Sequence, residues 1–213
     1  MRINSNTWNR IRYTLYTPGY DLIAQYFKDS RRKSIESLEI KSGDKVLIIG
    51  AGTGLDLEFL PKDCDIIATD ITPSMIYRVK KRNLTLNRNV QAIVMDGQSL
   101  DFPDNSFDFV ILHLILAVIP DPIACIKESE RVLEYGGKVA VFDKFVRKNK
   151  KVTFLRKFVN LFTNLLFTDI TRDFESIVNK TGLTVISNID ADFKGIFRLI
   201  KLKKNNDVLQ HVL

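Results

Sequence analysis

Three closely spaced glycines are the first residues of this sequence that indicate a binding site. Gly50, Gly52 and Gly54 follow directly after the apolar run 46–49. Glycine tolerates unusual backbone angles and lets main-chain N–H groups approach a ligand closely. The apolar run is short and rich in β-branched residues, which predicts a buried parallel strand. A strand followed by such a turn and a helix forms a cradle for a nucleotide-sized ligand, although a plain structural turn can have the same pattern.

The spacing of these glycines argues against a dinucleotide site. The dinucleotide fingerprint G-x-G-x-x-G places its third glycine at position 55, and that residue is Leu55. The chain has G-x-G-x-G instead, so its last glycine is Gly54. The turn therefore differs from the one that holds a pyrophosphate on a helix N-terminus.

An aspartate follows the second predicted strand. Asp70 lies 20 residues beyond Gly50, where a nucleotide-binding sheet has the acid that accepts hydrogen bonds from the ribose hydroxyls. Capping of the next helix is the alternative role, but Thr72 followed by Pro73 already fits that position. We therefore expect Asp70 to bind ribose and Ile71 to lie against the adenine.

Two further residues end predicted strands. Asp96, followed by Gly97, ends the third strand, and its carboxylate can accept a hydrogen bond from an adenine amino group or simply cap a loop. His113 falls at the end of the fourth strand. Ligands bind outside the carboxyl ends of such strands, so His113 is a candidate contact, with a buried structural histidine as the alternative.

The elements that position these residues alternate between strand and helix, which predicts a parallel sheet wound in right-handed βαβ units. Residues 1–40 are expected to form a helical cap, residues 41–204 one domain and residues 205–213 a loose tail. We predict strands at 46–49, 65–68, 90–95, 109–114, 139–142, 183–189 and 195–202. Helices are predicted at 55–60, 74–86, 122–133 and 172–180, and a tight turn at 134–138.

The composition is that of an ordinary globular protein. The chain has 213 residues, of which 45% are hydrophobic and 27% charged, and there is no apolar run long enough for a membrane span. The N-terminus lacks the apolar stretch of a signal peptide, and Cys64 and Cys125 lack metal-ligand spacing, so we expect a cytoplasmic protein with no metal site. The net charge of +7 calls for an anionic partner.

Taken together, these motifs resemble the class I S-adenosylmethionine (SAM)-dependent methyltransferases. The resemblance covers about residues 40–145 and rests on the segments 46–54, 70–75, 96–97, 102–108 and 131–137. It implies a doubly wound, Rossmann-like α/β fold with a seven-stranded sheet whose last strand is antiparallel. It also implies SAM as the cofactor, S-adenosylhomocysteine as its product, and a cofactor site formed by Gly50, Ala51, Gly52, Gly54, Asp70, Ile71, Met75, Asp96, Gly97 and His113.

One position departs from the family pattern. The family usually has an acidic residue two positions before the first glycine, near the ammonium group of SAM, and this chain has Ile48 there. An isoleucine cannot help to hold a cation. A main-chain carbonyl or a side chain of the N-terminal cap would have to replace the missing carboxylate.

The run 114–122 is similar to the bacterial phospholipid N-methyltransferases that act on phosphatidylethanolamine. Tyr20-Asp21 is also similar, but related quinone methyltransferases share it. The resemblance therefore implies N-methylation of a phospholipid amine, with a soluble methyltransferase of a small metabolite or quinone as the alternative. A non-catalytic or nucleic-acid-binding protein is the third possibility. The fourth strand lacks the Asn/Asp-Pro-Pro-Tyr/Phe element of base N-methyltransferases, which argues against nucleic acid.

An amine acceptor must lose a proton before it attacks a methyl group. A tyrosine, a carboxylate or water can accept that proton. The candidates for lining the acceptor pocket and acting in catalysis are Tyr13, Tyr16, Tyr20 and His113.

The segment 144–167 combines basic residues with an apolar helical period. This pattern is typical of an interfacial helix on an anionic membrane, and an ordinary lid helix is the alternative. On the first interpretation the protein would lie at the inner face of the membrane.

Overall fold

The computed structural model describes residues 5–16, 25–145, 172–191 and 196–206. Its helices are α1 Asn6–Tyr16, α2 Lys28–Glu36, α3 Pro73–Leu86, α4 Pro122–Val132 and α5 Phe174–Val178. Its strands are β1 Lys45–Ile49, β2 Asp65–Asp70, β3 Val90–Val94, β4 Phe107–His113, β5 Leu133–Lys144, β6 Leu183–Asp190 and β7 Phe197–Lys204. Two short 3-10 helices span Gln25–Phe27 and Leu55–Phe59.

The strands of the described residues form one seven-stranded sheet in the order β3-β2-β1-β4-β5-β7-β6. Neighbouring strands from β3 to β5 are parallel, whereas β7 is antiparallel to both β5 and β6. The predicted fold class, including the antiparallel last strand, is thus confirmed. Because β1 to β4 point the same way, their carboxyl ends meet at one edge of the sheet.

Apolar side chains cover both faces of the sheet. Leu47 and Ile49 of β1 pack into the cluster beneath α4 and α5. Val46 and Ile48 of the same strand pack into the cluster beneath α2 and α3. This alternation explains why β1 is a nearly unbroken apolar run, as a strand buried on both faces requires.

One predicted helix is shorter than expected and one predicted turn was wrong. The helix predicted at 55–60 is a 3-10 helix at 55–59, and it ends there because Leu60 is extended and precedes Pro61, which disfavours a helical conformation before it. Residues 134–138 are not a separate turn, since β5 runs through them. Phe107 pairs with Leu133 and Phe109 with Lys138, so the intervening residues of β5 bulge outwards.

The first helices lie against the sheet domain. Helix α2 packs on the 3-10 helix at 55–59 and on β5 and β7, and α1 packs on α3. The boundaries at 40 and 204 stay predictions, and residues 207–213 of the proposed tail lie outside the described residues. Within the part of the chain that the structure describes, no helix combines the length and apolar character needed to cross a membrane.

Candidate active site

A crevice lies at the carboxyl ends of β1 to β4. Nine of the predicted site residues line it: Tyr13, Gly50, Gly52, Asp70, Ile71, Met75, Asp96, Gly97 and His113. Residues of α1 and of the loop 114–120 also line it. The fold therefore brings together residues that are up to 100 positions apart in the sequence.

The glycine turn has the conformation that only glycine adopts easily. Gly50, Gly52 and Gly54 all have positive φ angles, of 69°, 56° and 81°. A Cβ atom at Gly50 would lie 2.7 Å from the Ile115 side chain. A glycine at position 50 therefore lets the main chain of the turn pack closely against Ile115 at the edge of the crevice. Ala51 is buried in the core and Gly54 begins the 3-10 helix, so neither lines the crevice.

Asp70 faces the crevice from the end of β2. Its Oδ2 accepts a hydrogen bond of 2.9 Å from the Gly52 N–H, and its Oδ1 accepts one of 2.8 Å from the Thr72 N–H. Burial raises the pKa of this carboxyl, while the two backbone hydrogen bonds act in the opposite direction. Each oxygen keeps a lone pair, so the carboxylate can still accept from two hydroxyls.

Asp96 is held by two carboxamides. Asn6 Nδ2 of α1 donates to Asp96 Oδ2, and Gln98 Nε2 donates to Oδ1 and Oδ2 at 2.9 and 3.1 Å. Gln98 Nε2 also donates to Asn6 Oδ1, so the three side chains form one network. At the neighbouring Gly97 a Cβ atom would lie 2.5 Å from the Ile49 side chain, which explains the glycine there.

His113 lines the crevice, but its ring nitrogens are bonded to protein groups. Nδ1 lies 2.8 Å from Asp56 Oδ1, and Nε2 lies 3.0 Å from Ser34 Oγ. Asp56 also accepts two hydrogen bonds from the buried Arg31 guanidinium. Burial alone would raise the pKa of Asp56, but the charges of Arg31 and His113 outweigh it and hold that pKa far below its ordinary value. The imidazole of His113 therefore links α2 and the 3-10 helix to β4 through hydrogen bonds.

Ile48 does not face the crevice. Its side chain is 1% exposed and packs in the core beneath α2 and α3. Among the described residues that line the crevice, Asp70 and Asp96 are the carboxylates. The described residues that line the crevice therefore include no acidic side chain in place of the one that the family usually has at position 48.

The loop 114–120 forms a wall that sequence reasoning did not assign to the site. Leu114 has a positive φ of 60° at its start. Asp143 Oδ2 accepts from the Ala117 N–H at 2.9 Å, and burial raises the pKa of Asp143 to about 6. From outside, the Arg172 guanidinium donates to the carbonyl oxygens of Leu116 and Ile119. These contacts fix the loop at the mouth of the crevice.

Helix α1 supplies two asparagines that sequence reasoning also missed. Asn6 contacts Asp96, and Asn9 Nδ2 donates to the Val118 carbonyl at 3.1 Å. No spacing signal marks a lone asparagine on a helix, although the subfamily pattern at 114–122 did indicate the partner loop. The side chain of Tyr16, and all of Tyr20, lie outside the described residues.

Comparison with known proteins agrees with this geometry. The methyltransferase domain family matches residues 47–141. A phosphatidylethanolamine N-methyltransferase from Cereibacter sphaeroides is 24% identical over 195 residues, which are 91% of this chain and 94% of that protein. A demethylmenaquinone methyltransferase from Corynebacterium efficiens is 37% identical over 112 residues, 52% of this chain and 46% of the relative. The chain thus matches about half of the length of the quinone enzyme.

Solved structures show the same fold. Geranyl diphosphate C-methyltransferase from Streptomyces coelicolor A3(2), solved with S-adenosylhomocysteine, superposes with a TM-score of 0.68. The match covers 84% of this chain and 81% of that one, at 12% identity. At this identity the likeness establishes the fold and nothing finer.

The residues present fit a SAM molecule. Gly50 and Gly52 line the crevice with main chain, and the Asp70 carboxylate lies beside them, hydrogen-bonded to the Gly52 N–H. The match of residues 47–141 to the methyltransferase domain family, the strand order and this crevice together support a class I SAM-dependent methyltransferase. The protein is an enzyme whose methyl donor is S-adenosylmethionine and whose acceptor is a small molecule.

Proposed function

We propose that this enzyme methylates the amine nitrogen of an ethanolamine phospholipid at a membrane surface. The observation that carries the proposal is the extent of the match to the phosphatidylethanolamine enzyme. That match spans 91% of this chain, which is much more than the cofactor domain alone. Helix α1 contributes Asn6, Asn9 and Tyr13 to the lining of the crevice, and we propose that this helix contacts the methyl acceptor.

A quinone acceptor is the second candidate. The quinone methyltransferases are more similar residue by residue, at 37% identity, but over only 52% of this chain. A match of that length is what a shared cofactor domain produces, because all these enzymes bind the same methyl donor. It therefore favours the quinone less than the longer match favours the lipid.

The cofactor residues act by position. SAM supplies an electrophilic methyl carbon whose leaving group needs no protonation. We propose that Asp70 accepts hydrogen bonds from the ribose hydroxyls, that Ile71 and Gly97 contact the adenine, and that Asp96 accepts from its amino group. The backbone of Gly50 and Gly52 closes on the methionine end. In an in-line transfer the protein contributes alignment and exclusion of water, and a rigid edge of four strands provides both.

A tyrosine of α1 lies on the side of the crevice that we propose for the acceptor, where the amine must lose a proton. Tyr13 lines the crevice from α1, and we propose that the amine proton leaves to water, either directly or through the Tyr13 hydroxyl, which accepts one proton as it gives up its own. His113 is a weaker candidate, because Asp56 and Ser34 already engage its two nitrogens. We assign it to the crevice wall. Tyr16 and Tyr20 stay predictions.

The membrane segment also stays a prediction, because residues 146–167 lie outside the described part of the chain. At its start, Lys144 lies over the Phe197 ring and Phe145 is buried against Phe174. The net charge of +7 supports attraction to anionic lipid and a place at the inner face of the membrane.

Methyl transfer from labelled SAM tests the proposal. The acceptors are phosphatidylethanolamine in nonionic micelles, a demethylated menaquinol, and free ethanolamine, with Asp70→Asn as the control deficient in SAM binding. We expect label in the lipid and far less in the other two. Label that enters only the quinol would replace the proposal with the second candidate.

A further inference from the structure

Arg12 of α1 is a buried cation that lacks an acidic partner among the described residues. It is 4% exposed. Its Nη2 donates to Asn9 Oδ1 at 2.8 Å, and its Nε has no hydrogen-bond partner. Burying a charged group is costly unless an opposite charge or a full set of hydrogen bonds compensates for the lost water.

The second buried arginine of the described chain shows what a structural guanidinium looks like. Arg31 is also 4% exposed, but its Nη1 donates to both oxygens of Asp56, at 2.9 and 2.8 Å. Its charge is neutralised inside the fold. Arg12 has an amide oxygen in place of that carboxylate, so its charge remains available to an anion that is not part of the described protein.

Arg12 lies beside the acceptor wall of the crevice. Its guanidinium contacts Asn9 and is 4.9 Å from the centre of the Tyr13 ring, and both of these residues line the crevice. Asn9 is itself fixed by its bond to the Val118 carbonyl. Along the same helix, Asn6 contacts Asp96 at the proposed adenine corner. Arg12 lies six positions after Asn6 in the helix, which is a rise of about 9 Å along the helix axis.

We infer that Arg12 binds the anionic group of the methyl acceptor, which in an ethanolamine phospholipid is the phosphodiester. The inference rests on the proposed function and adds a residue that recognises the head group. A guanidinium pairs with phosphate through parallel N–H···O bonds, which makes it well suited to this group. A neutral quinone ring offers no such partner, so Arg12 also favours the lipid over the quinone.

The test compares Arg12→Met with Arg10→Met, which removes the same charge from an exposed position of the same helix. Phosphatidylethanolamine in nonionic micelles is the acceptor, so that surface charge plays no part. We expect Arg12→Met to raise the KM for this lipid by tenfold or more, with the Kd for SAM unchanged by calorimetry. Arg10→Met should leave both values within twofold of the wild type.

A second acceptor separates recognition from a structural role. A long-chain amino alcohol has the amine but no phosphate, so its KM should be the same in the wild type and in Arg12→Met. An equal loss on both acceptors would assign Arg12 to structure and overturn the inference, as would an unchanged KM for the lipid.

If Arg12→Met does not fold, the conservative variant Arg12→Lys can still test the inference. Arg12→Lys retains the charge but loses the bidentate geometry, and we expect its lipid KM to rise severalfold; a wild-type value would overturn the inference. If the wild-type enzyme methylates no ethanolamine lipid, the proposed function fails as well. If it does and only the Arg12 variants disagree, the inference alone fails.

Discussion

The two walls of the crevice are built in different ways. On the wall that we propose for the cofactor, Asp70 ends β2 and pairs with Val94 of β3, while Gly50 and Asp96 lie within two residues of the ends of β1 and β3. On the acceptor wall, α1 is an eleven-residue helix joined to the domain by polar side chains such as Asn6 and Asn9. The first wall is rigid because of its topology, whereas the second depends on individual side-chain contacts. We therefore expect changes in the first wall to affect SAM, and changes in the second to affect the acceptor.

The largest effect is expected for Asp70→Asn, which tests the rigid wall. The amide keeps the shape of the side chain but loses the charge and one acceptor. Charge-assisted hydrogen bonds contribute about 1.5–3 kcal/mol each, so SAM affinity should fall about 100-fold in calorimetry. Asp101→Asn, at an exposed position, is the matched control. Affinity within threefold of the wild type would show that ribose is not bound by Asp70.

Gly50→Ala should have the next largest effect. Alanine at a φ of 69° is strained, and its Cβ would lie 2.7 Å from Ile115. We expect SAM affinity to fall by about tenfold and stability to fall by about 1–3 kcal/mol in urea unfolding.

Gly43→Ala separates strain from crowding. Gly43 has a φ of 87°, but a Cβ there meets no atom within 4 Å. This variant should lose stability through backbone strain alone and bind SAM normally. If Gly50→Ala and Gly43→Ala lose the same SAM affinity, the contact between position 50 and Ile115 does not affect SAM binding.

Asn9→Ala addresses the acceptor wall and should have a smaller effect. It removes the hydrogen bonds to the Val118 carbonyl and to Arg12. A neutral hydrogen bond contributes about 0.5–1.5 kcal/mol, so the KM for the acceptor should rise about three- to fivefold while SAM affinity stays constant. A lower affinity for SAM in calorimetry, with an unchanged acceptor KM in steady-state kinetics, would show that the two walls do not have the separate roles proposed here.

The last prediction concerns pH and Asp143, which holds the loop 114–120. The folded pKa of Asp143 is about 6, above its ordinary value of about 4, so the folded protein holds this proton over that interval and the unfolded protein does not. Stability should therefore fall as pH rises from about 4 to about 6 and level off above, by at most about 3 kcal/mol for this group. In Asp143→Asn this decline in stability with rising pH should be absent when urea unfolding is measured at each pH. An unchanged decline would show that another group causes it.

The same contrast explains what the sequence could predict. Asp70 follows a buried strand at a fixed distance from Gly50, and parallel topology brings both to one edge, so the cofactor wall was predictable. Asn6 and Arg12 carry no such signal, because their contacts depend on how α1 lies against the domain. A helix was predicted at 55–60, but its 3-10 geometry was not, because five residues are too few to show a full apolar period. The bulge of β5 was interpreted as a turn because Gly136, at a φ of 82°, suits either.

A crystal structure of the complex with S-adenosylhomocysteine tests the central claim most directly. Our account predicts the product in this crevice, with both ribose hydroxyls on the Asp70 carboxylate and the adenine between Ile71 and Gly97. Product bound elsewhere, or bound here without contact to Asp70, would contradict it.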